Sequence, residues 1–275
     1  MMCRLLGVSK AGFYWWKKAA QGKRIDREAP LVSHIKAIFE QHKGRYGSPR
    51  VHKELARQGV CVSKKRVERI MREHGLVGRT RRRFVRTTNA DRKARPAENL
   101  LNRNFTATRP NEKWATDITY VDTREGWLYL AAIQDLYSSR VIGWAIADHM
   151  EVDLCKNALM MALETRGYPK GVLLHSDQGC QYTSGVYQGL LSKHLVVRSM
   201  SRRGQCWDNA TAESFFGRLK EELFPFKPWE TKEQAIKAIE EYIKNYYNCQ
   251  RIKKSIGYCG PVEYELSAAT LKLVA

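Results

Sequence analysis

Three apolar and aromatic runs, at 114–121, 127–134 and 140–147, follow one another through short connections containing Gly126 and the pair Ser138 and Ser139. Links of this length cannot hold a parallel crossover, which takes a dozen or more residues, so the runs are predicted to form an antiparallel meander. The pattern then changes. Val152, Cys155, Ala158, Leu159, Ala162 and Leu163 recur at helical spacing before Gly167, and 171–175 is a short apolar strand. A helical crossover normally returns the chain to a parallel neighbour. A helix near 184–193, a strand at 195–199, a glycine-containing loop at 200–207 and the helix carrying Glu213 complete the series. A last amphipathic helix is opened by Thr231, with Gln234 in the capping-box position, and turns Ile236, Ile239, Tyr242, Ile243 and Tyr246 inward.

Three antiparallel strands followed by helix, strand, helix, strand and helix predict an α/β fold: a ribonuclease H-like mixed five-stranded sheet flanked by helices, with its first and fourth strands adjacent. Three acids then draw attention: Asp117 within the first strand, Asp177 just past the fourth, and Glu213 on the following helix. Adjacent strands can deliver the two aspartates to one sheet edge. On a helical wheel Ala212, Phe216, Leu219 and Leu223 form the buried stripe, and Asn209, Glu213, Gly217 and Lys220 form a second stripe beside it. Glu213 is therefore expected at the border of the core.

Clustered carboxylates repel, by roughly 4 kcal/mol for unit charges about 4 Å apart at an effective dielectric near 20, and resist full ionisation without cations. Ligands that are all oxygen suit hard divalent ions, Mg2+ or Mn2+, and two such ions can activate a water or a 3′-hydroxyl and stabilise the leaving oxygen of a phosphodiester. No Walker loop or serine triad competes with this chemistry. His175 and Gln178 are expected to orient Asp177 or touch substrate, with burial as a satisfied core residue the alternative for His175. Asn209 and Lys220 are candidate DNA contacts, with capping and solvated charge as the alternatives. Asp122, Asp135, Asp153 and Asp208 are weaker metal candidates, and Asp208 is also well placed as a helix cap.

Charge divides the chain. Residues 1–110 hold 28 Lys and Arg against 8 Asp and Glu, net +20, whereas residues 111–275 hold 20 of each. Such confinement points to a polyanion partner, double-stranded DNA. Ser9 is read as the cap of a helix running to Lys18, and the near absence of a helix before it points to a truncated start or a chain normally extended upstream. Helices over 31–41 and 49–58, a turn at 59–62, and a helix capped by Ser63 and stopped at Gly75 form an all-α helix-turn-helix region. In the last of these helices Val67, Ile70 and Met71 face inward, leaving Lys64, Lys65, Arg66 and Arg69 as candidate DNA contacts. Arg81, Arg82 and Arg83 lie in a basic connector suited to phosphates. The expected organisation is a helix-turn-helix region over 1–78, a basic linker over 79–108 and a catalytic core with a C-terminal helical extension over 109–275. The longest apolar stretch falls far short of a membrane span, and seven cysteines without a C-x-x-C pair argue against a disulfide framework and a zinc knuckle. A cytoplasmic setting is expected.

The stretches YGSPRVHKEL, RVERIMREHGL, KWATDITYV, HSDQGCQYTS, WDNATAESFFGRLKEEL and IGYCGPVEYE together resemble the insertion-sequence-three family of transposases, specifically the second reading frame product. The resemblance covers nearly all of the chain. It implies a DDE catalytic core of the retroviral-integrase type that acts on the ends of its own element, with Asp117, Asp177 and Glu213 as catalytic metal ligands. It also implies a helical N-terminal region that assists end recognition and a first reading frame product, often joined by frameshifting, as partner. The His and Cys spacing of the retroviral zinc-binding domain is not present. The expected activity is a metal-dependent polynucleotidyl transfer, in which water frees a 3′-hydroxyl at an element end and that hydroxyl attacks a second phosphodiester. Bringing two ends together calls for a homo-oligomer on DNA. A catalytically silent DNA-binding regulator and a nuclease of the same fold that only hydrolyses remain the alternatives.

Overall fold

Eleven residues from Lys113 to Thr123 form the central strand, β1, of the computed structural model, which describes residues 3, 7–21, 28–79, 97–202, 205–224 and 228–274. β2 (Gly126–Asp135) pairs antiparallel with β1, and β3 (Val141–Ala147) pairs antiparallel with β2. β4 (Leu173–Ser176) lies parallel to β1 on its other side, and β5 (Val197–Met200) lies parallel to β4. The order β3-β2-β1-β4-β5 is the predicted mixed sheet, with first and fourth strands adjacent.

The return from β3 to β4 is made by the helix Val152–Arg166, in which five of the six predicted apolar positions are buried, together with Leu154, while Val152 is only partly buried. Its packing on β3 depends on Gly143, where an added Cβ would lie 2.3 Å from the Ala158 carbonyl oxygen. Trp114, Ile133, Ile142 and Leu174 meet this helix in the main core. Two further helices, Cys180–Thr183 and Gly185–Lys193, lead to β5; the first was not foreseen. The helix Ala210–Leu223 follows, and then the helix Lys232–Glu241, whose Thr231 hydroxyl accepts from the Gln234 amide at 3.2 Å. That helix continues into a π-helical turn, Tyr242–Tyr247, which the 3.6-residue periodicity does not reveal. The chain closes with Pro261–Val274.

In chain order the helices are α1 (Lys10–Gln21), α2 (Ala29–Gln41), α3 (Ser48–Arg57), α4 (Lys64–Glu73), α5 (Val152–Arg166), α6 (Cys180–Thr183), α7 (Gly185–Lys193), α8 (Ala210–Leu223), α9 (Lys232–Glu241) and α10 (Pro261–Val274). The chain divides into two compact units, Met1–Gly78 and Arg79–Ala275. In the first, Ile35 and Ile38 of α2, Val51 and Leu55 of α3, and Val67, Ile70 and Met71 of α4 are buried. The Ser63 hydroxyl caps α4 by accepting from the Arg66 amide. Most of the basic stretch expected as a linker, including Arg81, Arg82 and Arg83, lies outside the described residues. Its far end is packed structure: Leu101 is buried with Ala115, Leu136 and Ala212, and Phe105 and Ala107 lie against them.

Candidate active site

Register brings the two aspartates to one level. Ala115 of β1 pairs with His175 of β4, and each aspartate follows its paired residue by two positions along parallel backbones. Both carboxylates are half-buried and locally held: Asp117 Oδ1 accepts from the Ile118 amide at 2.8 Å, and Asp177 Oδ1 accepts from the Gly179 amide at 3.0 Å. Burial drives the Asp117 carboxyl well above the ordinary range, and the charges of Asp177 and Glu213 push it the same way. The Ile118 amide and the Lys220 ammonium oppose them. Asp177 is also raised, by burial, against the pull of the Gly179 amide.

Glu213 stands in the first turn of α8, near enough to act on Asp117 electrostatically, but its side chain is exposed rather than bordering the core as expected. The wheel reading placed Ala212, Phe216 and Leu219 correctly and missed Phe215 and Glu222, both buried. Among the described residues, no three Asp, Glu, His or Cys side chains are gathered closely enough to hold an ion as they stand. The donors nevertheless suit a hard divalent cation: burial makes both half-buried carboxyls costly to ionise, the charge of Asp177 adds to that cost at Asp117, and a third carboxyl is on the neighbouring helix.

Lys220, two turns along α8 from Glu213, is half-buried, with Nζ 4.1 Å from the centre of the Tyr120 ring. Burial lowers its pKa and Asp117 raises it, which ties this ammonium to the same site. Asn209 does not fit the role of DNA contact. It is 4% exposed, and its amide donates to the Thr116 carbonyl at 3.2 Å, so it joins the start of α8 to the strand residue preceding Asp117. His175 is a core residue bonded through Nδ1 to Ser199 Oγ and through Nε2 to Ser201 Oγ, and burial pulls its pKa down to about 4. Gln178 donates to the Ser201 carbonyl.

The weaker metal candidates have other employment. Asp135 is buried and accepts from the Asn111 and Tyr137 amides and from Arg166. Asp153 pairs with Lys156, and Asp122 is exposed. Asp208 is fully buried but does not cap α8; Arg202, Arg103 and Asn99 surround it, and Arg202 and then Arg103 hold its carboxyl far below the usual range. On α4, Lys64 pairs with Glu68, Lys65 is exposed, and Arg66 and Arg69 both reach the Glu28 carboxylate, Arg69 also bonding Glu73. Sequence reasoning passed over Arg103 and Arg202, whose partner lies about a hundred positions from the first of them and six from the second.

A mixed sheet that carries one carboxyl within its first strand and another just past the end of the adjacent fourth defines an integrase-type core. Residues 107–206 match the family described as Integrase core domain, residues 213–268 match a second family of the same description, and residues 26–84 match the HTH-like domain. The insertion element IS600 31 kDa protein of Shigella sonnei is 38% identical over 96% of this chain and 97% of its own length. Transposase InsF for insertion sequence IS3A of Escherichia coli strain K12 is 39% identical over 96% of this chain and 92% of its own. The transposase for insertion sequence element IS904 of Lactococcus lactis is 37% identical over 88% and 96%. Among solved structures, the simian T-cell lymphotropic virus intasome in complex with PP2A regulatory subunit B56 gamma aligns over 84% of this chain and 74% of that chain, with TM-score 0.48 and 15% identity, too distant to add to the assignment. The chain belongs to the IS3 family of insertion-sequence transposases.

Proposed function

We propose that this transposase is a polynucleotidyl transferase that cuts DNA at the ends of an insertion element and joins the freed 3′-hydroxyl to a second site, with Asp117, Asp177 and Glu213 as its catalytic carboxylates. The observation that carries the reading is the pair of half-buried aspartates at one level of adjacent strands, each with its carboxyl pushed upward. Two like charges so placed favour a proton or a cation between them, and oxygen donors select a hard divalent ion.

Asp117 and Asp177 would hold Mg2+ or Mn2+, and Glu213 would complete the set by turning in from its exposed position on α8. Bound there, a pair of such ions supplies an activated oxygen nucleophile and charge stabilisation at phosphorus. The protein's own contributions are positional. The Ile118 and Gly179 amides hold one oxygen of each aspartate, and Asn209 fixes the start of α8 against β1. Lys220 brings a half-buried positive charge to the same place, suited to a DNA phosphate. Lys64 and Lys65 of α4 and the basic run containing Arg81, Arg82 and Arg83 are proposed to bind the DNA backbone, with an oligomer on DNA bringing two ends together.

Incubating labelled element-end DNA and a target duplex with Mg2+ tests the reading. Joined products are expected. Nicks alone would favour the hydrolytic alternative, and binding with intact DNA would favour the silent regulator.

A further inference from the structure

The turn before α8 carries a feature that the carboxylates leave unexplained. Trp207 is 69% exposed, yet the next residue, Asp208, is fully buried. Its carboxylate is saturated. Oδ1 accepts from Arg103 Nε at 2.7 Å and Arg202 Nη2 at 3.1 Å, and Oδ2 accepts from Asn99 Nδ2 at 2.9 Å and from both the amide and Nε of Arg202 at 3.0 Å. Isolated exposed aromatics are ordinary on protein surfaces, but this indole is mounted on a pinned 3-10 turn, Cys206–Asn209, one residue from that anchor.

The surrounding charge is also unusual. Two guanidiniums converge on one carboxylate, leaving a net positive charge, and their side chains remain 45% and 53% exposed. Arg103 reaches this position from consecutive left-handed residues, Asn102 at φ 42° and Arg103 at φ 62°, a conformation unfavourable for an arginine. The turn is joined to the aspartates through Asn209, whose amide bonds the carbonyl of the residue before Asp117. An exposed aromatic face one residue from a carboxylate that fixes two guanidiniums suits a nucleic-acid strand, in which a base offers its face and flanking phosphates take the guanidinium N–H groups not used by Asp208 or by Gln205, which accepts from Arg103 Nη2. Within a duplex only a terminal or unpaired base has a face to offer.

We infer that Trp207, Arg103 and Arg202 form a strand-end platform, on which Trp207 stacks against an unstacked base beside the strand to be cut while the two arginines hold the adjoining phosphates. The inference rests on the proposed DNA-cutting function and adds which part of the DNA this edge receives.

The test uses the full chain with a duplex carrying the terminal sequence that flanks its gene, with 2-aminopurine replacing each terminal base in turn, in chelator so that no chemistry occurs. Wild-type protein is expected to change the fluorescence at one or more terminal positions. Trp207→Ala should lose that change and bind several-fold more weakly, whereas Trp207→Phe should retain it. Arg103→Ala, which leaves Asp208 paired with Arg202, should lower the slope of log affinity against log salt by about one. Unchanged thermal melting of each variant would establish that folding is intact. A Trp207→Ala protein indistinguishable from wild type in fluorescence and affinity would overturn the platform. Seen alongside Mg2+-dependent nicking by wild type, that result would leave the cutting function standing; a wild-type protein that neither binds nor nicks the duplex would overturn both.

Discussion

Asp117 and Asp177 stand level with each other on neighbouring parallel backbones, two residues beyond the paired Ala115 and His175. A change of register by one residue would turn one carboxylate to the opposite face of the sheet, because side chains alternate along a strand. The pairing of β1 with β4 therefore fixes the site as much as the acids do.

The raised carboxyls give a stability prediction. An acid whose folded pKa is raised contributes stability that is present at low pH and lost as pH rises through the folded value. Without divalent ions, Asp117→Asn should therefore stabilise the protein at neutral pH, raising Tm by roughly 2–4 °C for each kcal/mol relieved. It should also abolish strand joining while leaving DNA binding largely in place. A Tm scan at neutral and mildly acidic pH, with the gap closing on the acidic side, checks the first part.

His175 gives the opposite sign. Burial lowers its pKa to about 4, so the imidazole is neutral in the fold, and stability is lost as pH falls from its unfolded value toward 4. Set against an unperturbed value near 6.5, the lost contribution is about 3 kcal/mol. Its ring-proton resonance in an NMR titration should move near pH 4; movement near 6.5 would show a solvated ring.

The C-terminal segment is locked to α8 by a buried ion pair. Glu222 and Arg251 are 2% and 3% exposed, their bonds run from 2.6 to 3.0 Å, and the Tyr242 hydroxyl donates to the same carboxylate at 2.9 Å. Glu222→Ala would strand a buried guanidinium and should cost about 3–5 kcal/mol. Tyr242→Phe removes one hydrogen bond and should cost about 1–3 kcal/mol. Urea unfolding of both variants measures the difference.

Gly143→Ala places a methyl group against the Ala158 carbonyl and the Ala162 amide and should destabilise the core by about 1–3 kcal/mol or more. An unchanged urea midpoint would mean that α5 can back away from β3.

Much of this architecture was legible in the sequence, because strands and helices announce themselves by the period of their apolar residues. Asp117 and Asp177 could be placed on neighbouring strands since short links force a meander and a helical crossover forces a parallel return. What periodicity cannot supply is partners. Glu222 lies in line with Phe215 and Leu219 on the buried side of α8, a signal that was present, but its burial makes sense only with Arg251 beyond the next helix. Asp208 read as a cap because Asp commonly caps helices; of the two arginines that hold it, Arg103 comes from distant sequence and Arg202, six residues away, reaches it only through the fold of the intervening loop. Asn209 looked available on the helix wheel, and its burial follows from contact with β1.

The most direct test of the carboxylate site is calorimetric titration of Mn2+ into the wild-type protein and into Asp117→Asn and Asp177→Asn. Saturable binding by wild type that is lost or strongly weakened in both variants is the predicted result. Equal binding by all three proteins would contradict a metal site built on these aspartates.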